Sequence, residues 1–374
     1  MTLIVAAAVA FGVAEVVMRL SFPPPAMWRI QPAEGPKVAD ARSGVVIPNH
    51  PAQGGLFEIR GVHKRLRPNV DAVIVDHSLS RRSVSIATND LGLRHPALGP
   101  DRGRRVLFLG DSVTLADYLP DGQTFVRQVE MLARRGGREW ECINAGVGAI
   151  GTDSEVALYF EVEEAVAPEV VVLNLYLNDF AESLAWSNPL PLWMRRSVLV
   201  EYTSSLVLQS AVLLSDDDPA TRLIPRWRDE LVAEWSEAEQ AAPPLADAAL
   251  EHLRDWGGAW SPHAWELMQE PLNTLARRCR STDRQLVVAV HPVRLQVEAP
   301  VLDDTPQRSA RTLVGGLDLP MIDLLPALRE AHRQDGEPLF FDQCHHTERG
   351  AAVVAAAMYD GLVELEALEP SSMP

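Results

Sequence analysis

The chain has 374 residues, 47% of them hydrophobic and 23% charged, with a formal net charge of −17. These values exclude a mainly disordered protein, and the acidic excess excludes nucleic acid as a partner, because a phosphate backbone demands a basic surface. Three scattered cysteines, Cys142, Cys279 and Cys344, supply neither a disulfide framework nor a metal-ligand spacing, so no metal is expected.

The chain opens with an apolar run from Leu3 to Met18 broken only by Glu15; Arg19 follows, Leu20 and Phe22 could extend it to residue 22, and Pro23, Pro24 and Pro25 end it. The run is slightly short for a span of roughly 20 residues. No basic residue precedes it and no small-residue cleavage site follows. We read residues 1–22 as a membrane anchor or signal-type segment giving membrane association, the alternative being a buried core helix.

Residues 23–104 are rich in Pro, Gly and polar residues. Within them GLFEIRGV (55–62), AVIVDHS (72–78) and SVSIAT (83–88) alternate as strands between turns. The expectation is a small β-rich extension packed on the main domain.

From 105 to 366 strands and helices alternate. RVLFLG (105–110), ECINAG (141–146), EVVVLNLYL (169–177), QLVVAVHP (285–292) and PMIDLL (320–325) are short apolar runs suited to buried strands. TFVRQVEMLARRGG (124–137) and the alanine-rich 348–365 have helical spacing, and Thr152 with Glu155 has the spacing of a capping box opening a helix over 151–166. This alternation predicts an α/β fold: a three-layer, flavodoxin-like, doubly wound parallel sheet of about five strands. Residues 183–283 are too long for an ordinary crossover and hold seven tryptophans, which reads as a helical insertion or a lid. Residues 367–374 form a tail.

In such sheets ligands bind beyond the carboxyl ends of the strands. There the sequence places Gly110-Asp111-Ser112, then the small-residue loop Asn144 to Ala149, then Asn178-Asp179, and before the last helix Asp342-x-x-His345. Together they supply a nucleophile, a base, an orienting carboxylate and oxyanion donors, a set suited to acyl transfer.

GDS, NAGVGAIGT, LND and DxxH, in this order over roughly residues 104–366, resemble the SGNH hydrolases, also called GDSL-like esterases. NDLGLRHP (89–96), with the apolar N-terminus, resembles the membrane-anchored bacterial members. The resemblance implies Ser112 as nucleophile, His345 as base and Asp342 as its orienting acid, with no organic cofactor. It implies an oxyanion hole from the Ser112 amide, an amide of the second loop and the Asn178 side chain. The family usually has glycine where this chain has Ala149, so the loop donor is the amide of Ala149 or of Gly148. It also often has glycine where this chain has Tyr176, which would narrow the pocket.

Structural alternatives stand beside each residue. Ser112 and Asn178 could cap turns, Asp111 and Asp179 would organise loops, and Cys344 would be packed. His346 competes with His345 as base, though the spacing favours His345. His291 would be structural or touch substrate. Gly146-x-Gly148-x-x-Gly151 matches a dinucleotide-binding pattern, but no acidic residue closes a following strand. The expected activity is therefore ester hydrolysis through an acyl-serine, on small-molecule, glycan or lipid esters of the cell envelope, with the catalytic part outside the cytoplasm. O-acyl transfer with the same triad and a non-catalytic binding module are the competing readings.

Overall fold

The structure, a computed structural model, describes residues 10–17, 37–44, 46–47, 55–60, 63–99, 103–179, 257–260, 262–298 and 303–368. Five parallel strands form the central sheet: β7 (Arg104–Gly110), β8 (Trp140–Gly146), β9 (Val170–Tyr176), β10 (Gln285–His291) and β11 (Met321–Asp323), in the spatial order β11-β10-β9-β7-β8. This is the flavodoxin-like order, and its switch point lies at β7, where the chain first turns to β8 and then crosses back to β9.

Both faces of the sheet are buried, and the alternation of the strands sorts the residues. Leu107, Leu109, Ile143 and Leu173 face one apolar cluster, shared with helices α3 (Thr152–Val166), α4 (Pro262–Ser281) and α6 (Thr305–Gly315). Val106, Phe108, Cys142 and Val172 face the other, shared with α2 (Phe125–Arg135), α7 (Leu325–Asp335) and α8 (Glu348–Leu368). The period of two puts successive side chains on opposite faces, and helices on both faces cover them, which explains continuous apolar runs in place of alternation. The turns α1 (Ser112–Leu115) and α5 (Arg294–Glu298) follow β7 and β10.

The capping box does not form. Gly151 is the N-cap of α3, and Thr152, already inside the helix, donates its hydroxyl to Asp179 Oδ2 at 3.3 Å. Residues 262–281, inside the stretch assigned to the insertion, form α4, the crossover helix packed on α3 between β9 and β10. Residues 180–256, which include the first part of that insertion from 183 and most of its tryptophans, lie outside the described residues, as does most of the apolar N-terminal segment. Residues 10–17 are helical and expose Phe11, Val13, Val16 and Val17. Among the described residues no helix is long and apolar enough to cross a membrane.

The N-terminal extension is more strand-rich than its alternation suggests. An antiparallel sheet runs β2-β1-β5-β6, from β1 (Lys37–Asp40), β2 (Val46–Ile47), β5 (Asp71–Val75) and β6 (Val84–Ala87), and β3 (Phe57–Arg60) pairs with β4 (His63–Leu66) as a hairpin. Leu56, Leu66, Ile74 and Leu93 join the core cluster on the α3 side of the central sheet. Strand β4, HKRL, is invisible to an apolar-pattern reading, yet its last three residues are buried. Each polar side chain finds a partner: His63 with Ser154 Oγ at 3.0 Å, Lys64 with the Gly148 carbonyl at 2.7 Å, and Arg65 with Glu161 at 2.7 Å. Such pairing is what makes burial of charge tolerable.

Candidate active site

Strand β7 ends on Gly110, in register with Gly146 at the end of β8, and the Val147 amide donates to the Gly110 carbonyl. A Cβ on Gly110 would lie 2.1 Å from Thr114 Oγ1, and one on Gly146 would lie 2.1 Å from the Leu115 amide nitrogen. Only glycine at both positions lets the α1 turn fold back against the two strand ends. Asp111, almost fully buried, caps that turn: its Oδ1 accepts from the Val113 amide at 2.9 Å. Asp111 therefore organises the loop, and burial raises its pKa. Ser112 is the first residue of α1.

Arg94, from the NDLGLRHP stretch, holds the other end of the turn. Its guanidinium donates to the carbonyls of Leu115 at 2.7 Å, Ala116 at 2.6 Å and Leu119 at 2.7 Å, at 3% exposure. The Leu115 carbonyl is among the acceptors that the end of α1 leaves open, and the other two lie in the turn that follows it. Asn89 shapes the approach by accepting from the amides of Leu91 and Leu93. Arg94→Met should strand these buried carbonyls and cost about 2–4 kcal/mol of stability, read as a lower denaturation midpoint with an unchanged denaturant slope.

The loop before α8 brings Asp342 and His345. Asp342 Oδ1 accepts from the amides of Cys344 at 3.0 Å and His345 at 2.8 Å, closing a tight turn. Its Oδ2 accepts from His345 Nδ1–H at 2.7 Å. A carboxylate only accepts, so the proton sits on Nδ1 and leaves Nε2 as an acceptor. Ser112 Oγ–H donates to that Nε2 at 2.9 Å. The Tyr118 ring stands edge-on to the imidazole, centroids 5.0 Å apart, and limits its rotation.

Electrostatics follow from the same contacts. Burial works against the His345 cation, but the neighbouring Cys344 and Asp342 side chains more than offset it and hold the imidazole well above the ordinary histidine value of 6.5. Burial also opposes the Asp342 anion, and the His345 hydrogen bond and charge, with the two amides, nevertheless keep its carboxyl well below the usual range. Burial pushes the Cys344 thiol up to about 11, so it is protonated near neutral pH and is no nucleophile. Asp342, Cys344 and His345 are the one group of three metal-ligand types among the described residues with ligand atoms within 4.8 Å of one another. Two of those atoms already share the 2.7 Å carboxylate–imidazole hydrogen bond.

The remaining residues sort themselves by place. Gly148 faces Ser112: a Cβ on it would lie 3.7 Å from Ser112 Cβ. Ala149 adopts φ +56°, the left-handed conformation that favours glycine. Asn178 is buried in the turn after β9, the strand on the other side of β7. Asp179 braces that turn, accepting from the Thr152 hydroxyl at 3.3 Å and the Tyr176 amide at 3.1 Å. His346 is buried against Phe340 and His291, makes no hydrogen bond to Ser112, and is driven by burial well below the histidine range. His291 is also buried, donates Nε2–H to Asn174 Oδ1 at 3.1 Å, and has its pKa pushed down by burial to about 3. Tyr176 is buried too. Sequence reasoning missed Lys64, Arg94 and Tyr118, whose partners are distant in the chain.

Left-handed alanine costs about 1 kcal/mol, part of which glycine would return through a more flexible unfolded chain. Ala149→Gly should therefore raise stability by about 0.5 kcal/mol, checked by chemical denaturation.

Fold and site together define a doubly wound α/β protein carrying a hydrogen-bonded serine–histidine–aspartate chain at its topological switch point. No protein-family model and no curated relative matches the sequence. Among solved structures the chain is similar to the acetyl xylan esterase AlAXEase (14% identity, 69% of this chain and 99% of that one, TM-score 0.40). It is similar to TesA (12%, 70% and 99%, TM-score 0.42) and to an acetylxylan esterase from Geobacillus stearothermophilus (13%, 71% and 96%, TM-score 0.40). Those activities belong to those proteins. What this chain can do chemically follows from its own residues.

Proposed function

We propose that this chain is a serine hydrolase that cleaves carboxylic esters through an acyl-serine intermediate. The single observation that carries this reading is the unbroken chain Ser112 Oγ–H to His345 Nε2 at 2.9 Å and His345 Nδ1–H to Asp342 at 2.7 Å. In the first step His345 takes the Ser112 proton as Oγ attacks the ester carbonyl carbon. The Asp342 carboxylate stabilises the imidazolium that forms. The carbonyl electrons move onto oxygen, which the Ser112 amide, a loop amide at 148–149 and Asn178 would meet. His345 then gives its proton to the leaving alkoxide, and the alcohol departs. Water repeats the sequence on the acyl-serine, and Ser112 is restored. O-acyl groups on envelope glycans or lipids are the substrates that an anchored chain of this kind would meet. The apolar residues 3–22 support that placement.

The testing experiment is labelling of the full chain with a fluorophosphonate, beside Ser112→Ala and His345→Ala. Labelling lost in both variants supports an activated Ser112. Unchanged labelling in Ser112→Ala would sink the assignment. Transfer to a hydroxyl uses the same three side chains, so product analysis with added alcohols reports the acceptor.

A further inference from the structure

We infer that Lys64, in the N-terminal extension, is a positioning residue for the oxyanion hole, and that the loop donor is the amide of Ala149. The inference rests on the serine-hydrolase reading and extends it to the hairpin that completes the site.

Lys64 sits on β4 at 8% exposure, and its ammonium donates to the carbonyl of Gly148 at 2.7 Å. The Phe57 ring, from the paired strand β3, lies 4.0 Å from the ammonium and provides a cation–π contact. Burying an ammonium is costly, so one placed against a loop carbonyl fixes that carbonyl strongly. The peptide joining Gly148 to Ala149 is planar and trans, so its C=O and N–H point in opposite directions. Holding the carbonyl toward Lys64 directs the Ala149 N–H away from the hairpin.

Two of the preceding amides are already committed. Gly146 donates to Asn144 Oδ1 at 2.9 Å and Val147 donates to the Gly110 carbonyl at 3.0 Å. Gly148 itself packs toward Ser112, a Cβ built on it lying 3.7 Å from Ser112 Cβ, so the loop runs beside the serine. A cation on the carbonyl also polarises the amide and strengthens its N–H as a donor. Lys64 thereby does two things: it orients the donor and raises its strength where negative charge develops. It also accounts for an alanine held at φ +56°, since the anchored carbonyl over-determines the conformation of that peptide.

The test uses the full chain with a p-nitrophenyl ester, in Lys64→Met, Lys64→Gln and Lys64→Arg. Loss of one oxyanion donor costs roughly 10²–10³-fold in kcat, and Lys64→Met should fall by about 10²-fold with KM changed less than about threefold. Lys64→Gln keeps a donor without charge and should fall by less, and Lys64→Arg should restore most of the rate. Inhibition by a phenylboronic acid, which forms a tetrahedral adduct on serine, should weaken by the same factor as kcat/KM across the series. A merely structural role would lower stability without that proportionality. A folded Lys64→Met or Lys64→Gln with wild-type kcat overturns the inference. If Lys64→Met fails to fold, Lys64→Gln decides it. Wild-type protein inert to both ester and fluorophosphonate would instead sink the serine-hydrolase reading. The ¹⁵N-alanine resonance of Ala149, identified by its loss in Ala149→Gly, then decides the Lys64 contact: an unmoved shift in Lys64→Gln overturns it.

Discussion

Ser112→Ala is expected to reduce ester turnover by roughly 10⁴–10⁶-fold while leaving the fold and its stability unchanged. The size of the loss follows from the geometry. Once Oγ is gone, His345 Nε2 has no group to activate, and only the amides and Asn178 remain to act on a substrate. The stability is unchanged because the hydroxyl makes few bonds: one to His345 at 2.9 Å and a long one to Asp111 at 3.4 Å. The turn that carries it is held by backbone and by other side chains, chiefly Asp111 as cap and Arg94 on its carbonyls. Steady-state hydrolysis of a p-nitrophenyl ester, beside a thermal melt, checks both halves. Turnover within tenfold of wild type would overturn Ser112 as nucleophile.

The second large effect is expected from Asp342→Asn. An amide presents either an N–H or a carbonyl to His345 Nδ1. With the N–H, it forces the proton to Nε2, the wrong tautomer for accepting from Ser112. Either way the charge that supports the imidazolium is lost. The comparable loss in a serine triad is about 10⁴-fold in kcat. The pH profile carries the sign. Asp342 helps hold the His345 pKa well above 6.5, and in the proposed mechanism the neutral ring is the base. Activity therefore rises with pH through that raised value and is lost as pH falls below it. Removing the carboxylate takes away a support of the cation, so the acidic limb of kcat/KM should move to lower pH in Asp342→Asn while the plateau drops. A limb that stays in place would show that the Asp342 charge does not set the His345 pKa.

Much of the architecture was legible because its cause is local. The five strands β7 to β11 are runs of apolar residues between turn residues, and their pattern needs only the rule that a doubly covered sheet buries both faces. Boundaries shift by a residue or two, as with β7, which starts at Arg104. The missed strand β4 shows why the rest was hidden. His63, Lys64 and Arg65 give no apolar strand signal, and their partners lie 84 to 96 residues away, on the loop at Gly148 and on α3. The capping box at Thr152 failed for a related reason. A more remote acceptor, Asp179, took the hydroxyl that local spacing offered to the helix end.

The site divides along the same line. Ser112, Asp342 and His345 stand out in the sequence because acyl-transfer chemistry needs those residue types just beyond strand ends and before a helix. Their order along the chain and the short D-x-x-H spacing are chain properties. The sequence by itself thus determined the class of fold and offered Ser112, Asp342 and His345, with His346 as a competing histidine, as candidates beyond the strand ends. Only the tertiary structure decided which histidine meets Ser112, because His345 and His346 are adjacent and differ only in which way the turn at Asp342 directs each ring. Only the tertiary structure, too, joined the extension to the site through Lys64 and Arg94. Those contacts are made by buried cations on loop carbonyls, and a carbonyl carries no mark in the sequence of which distant side chain will bind it.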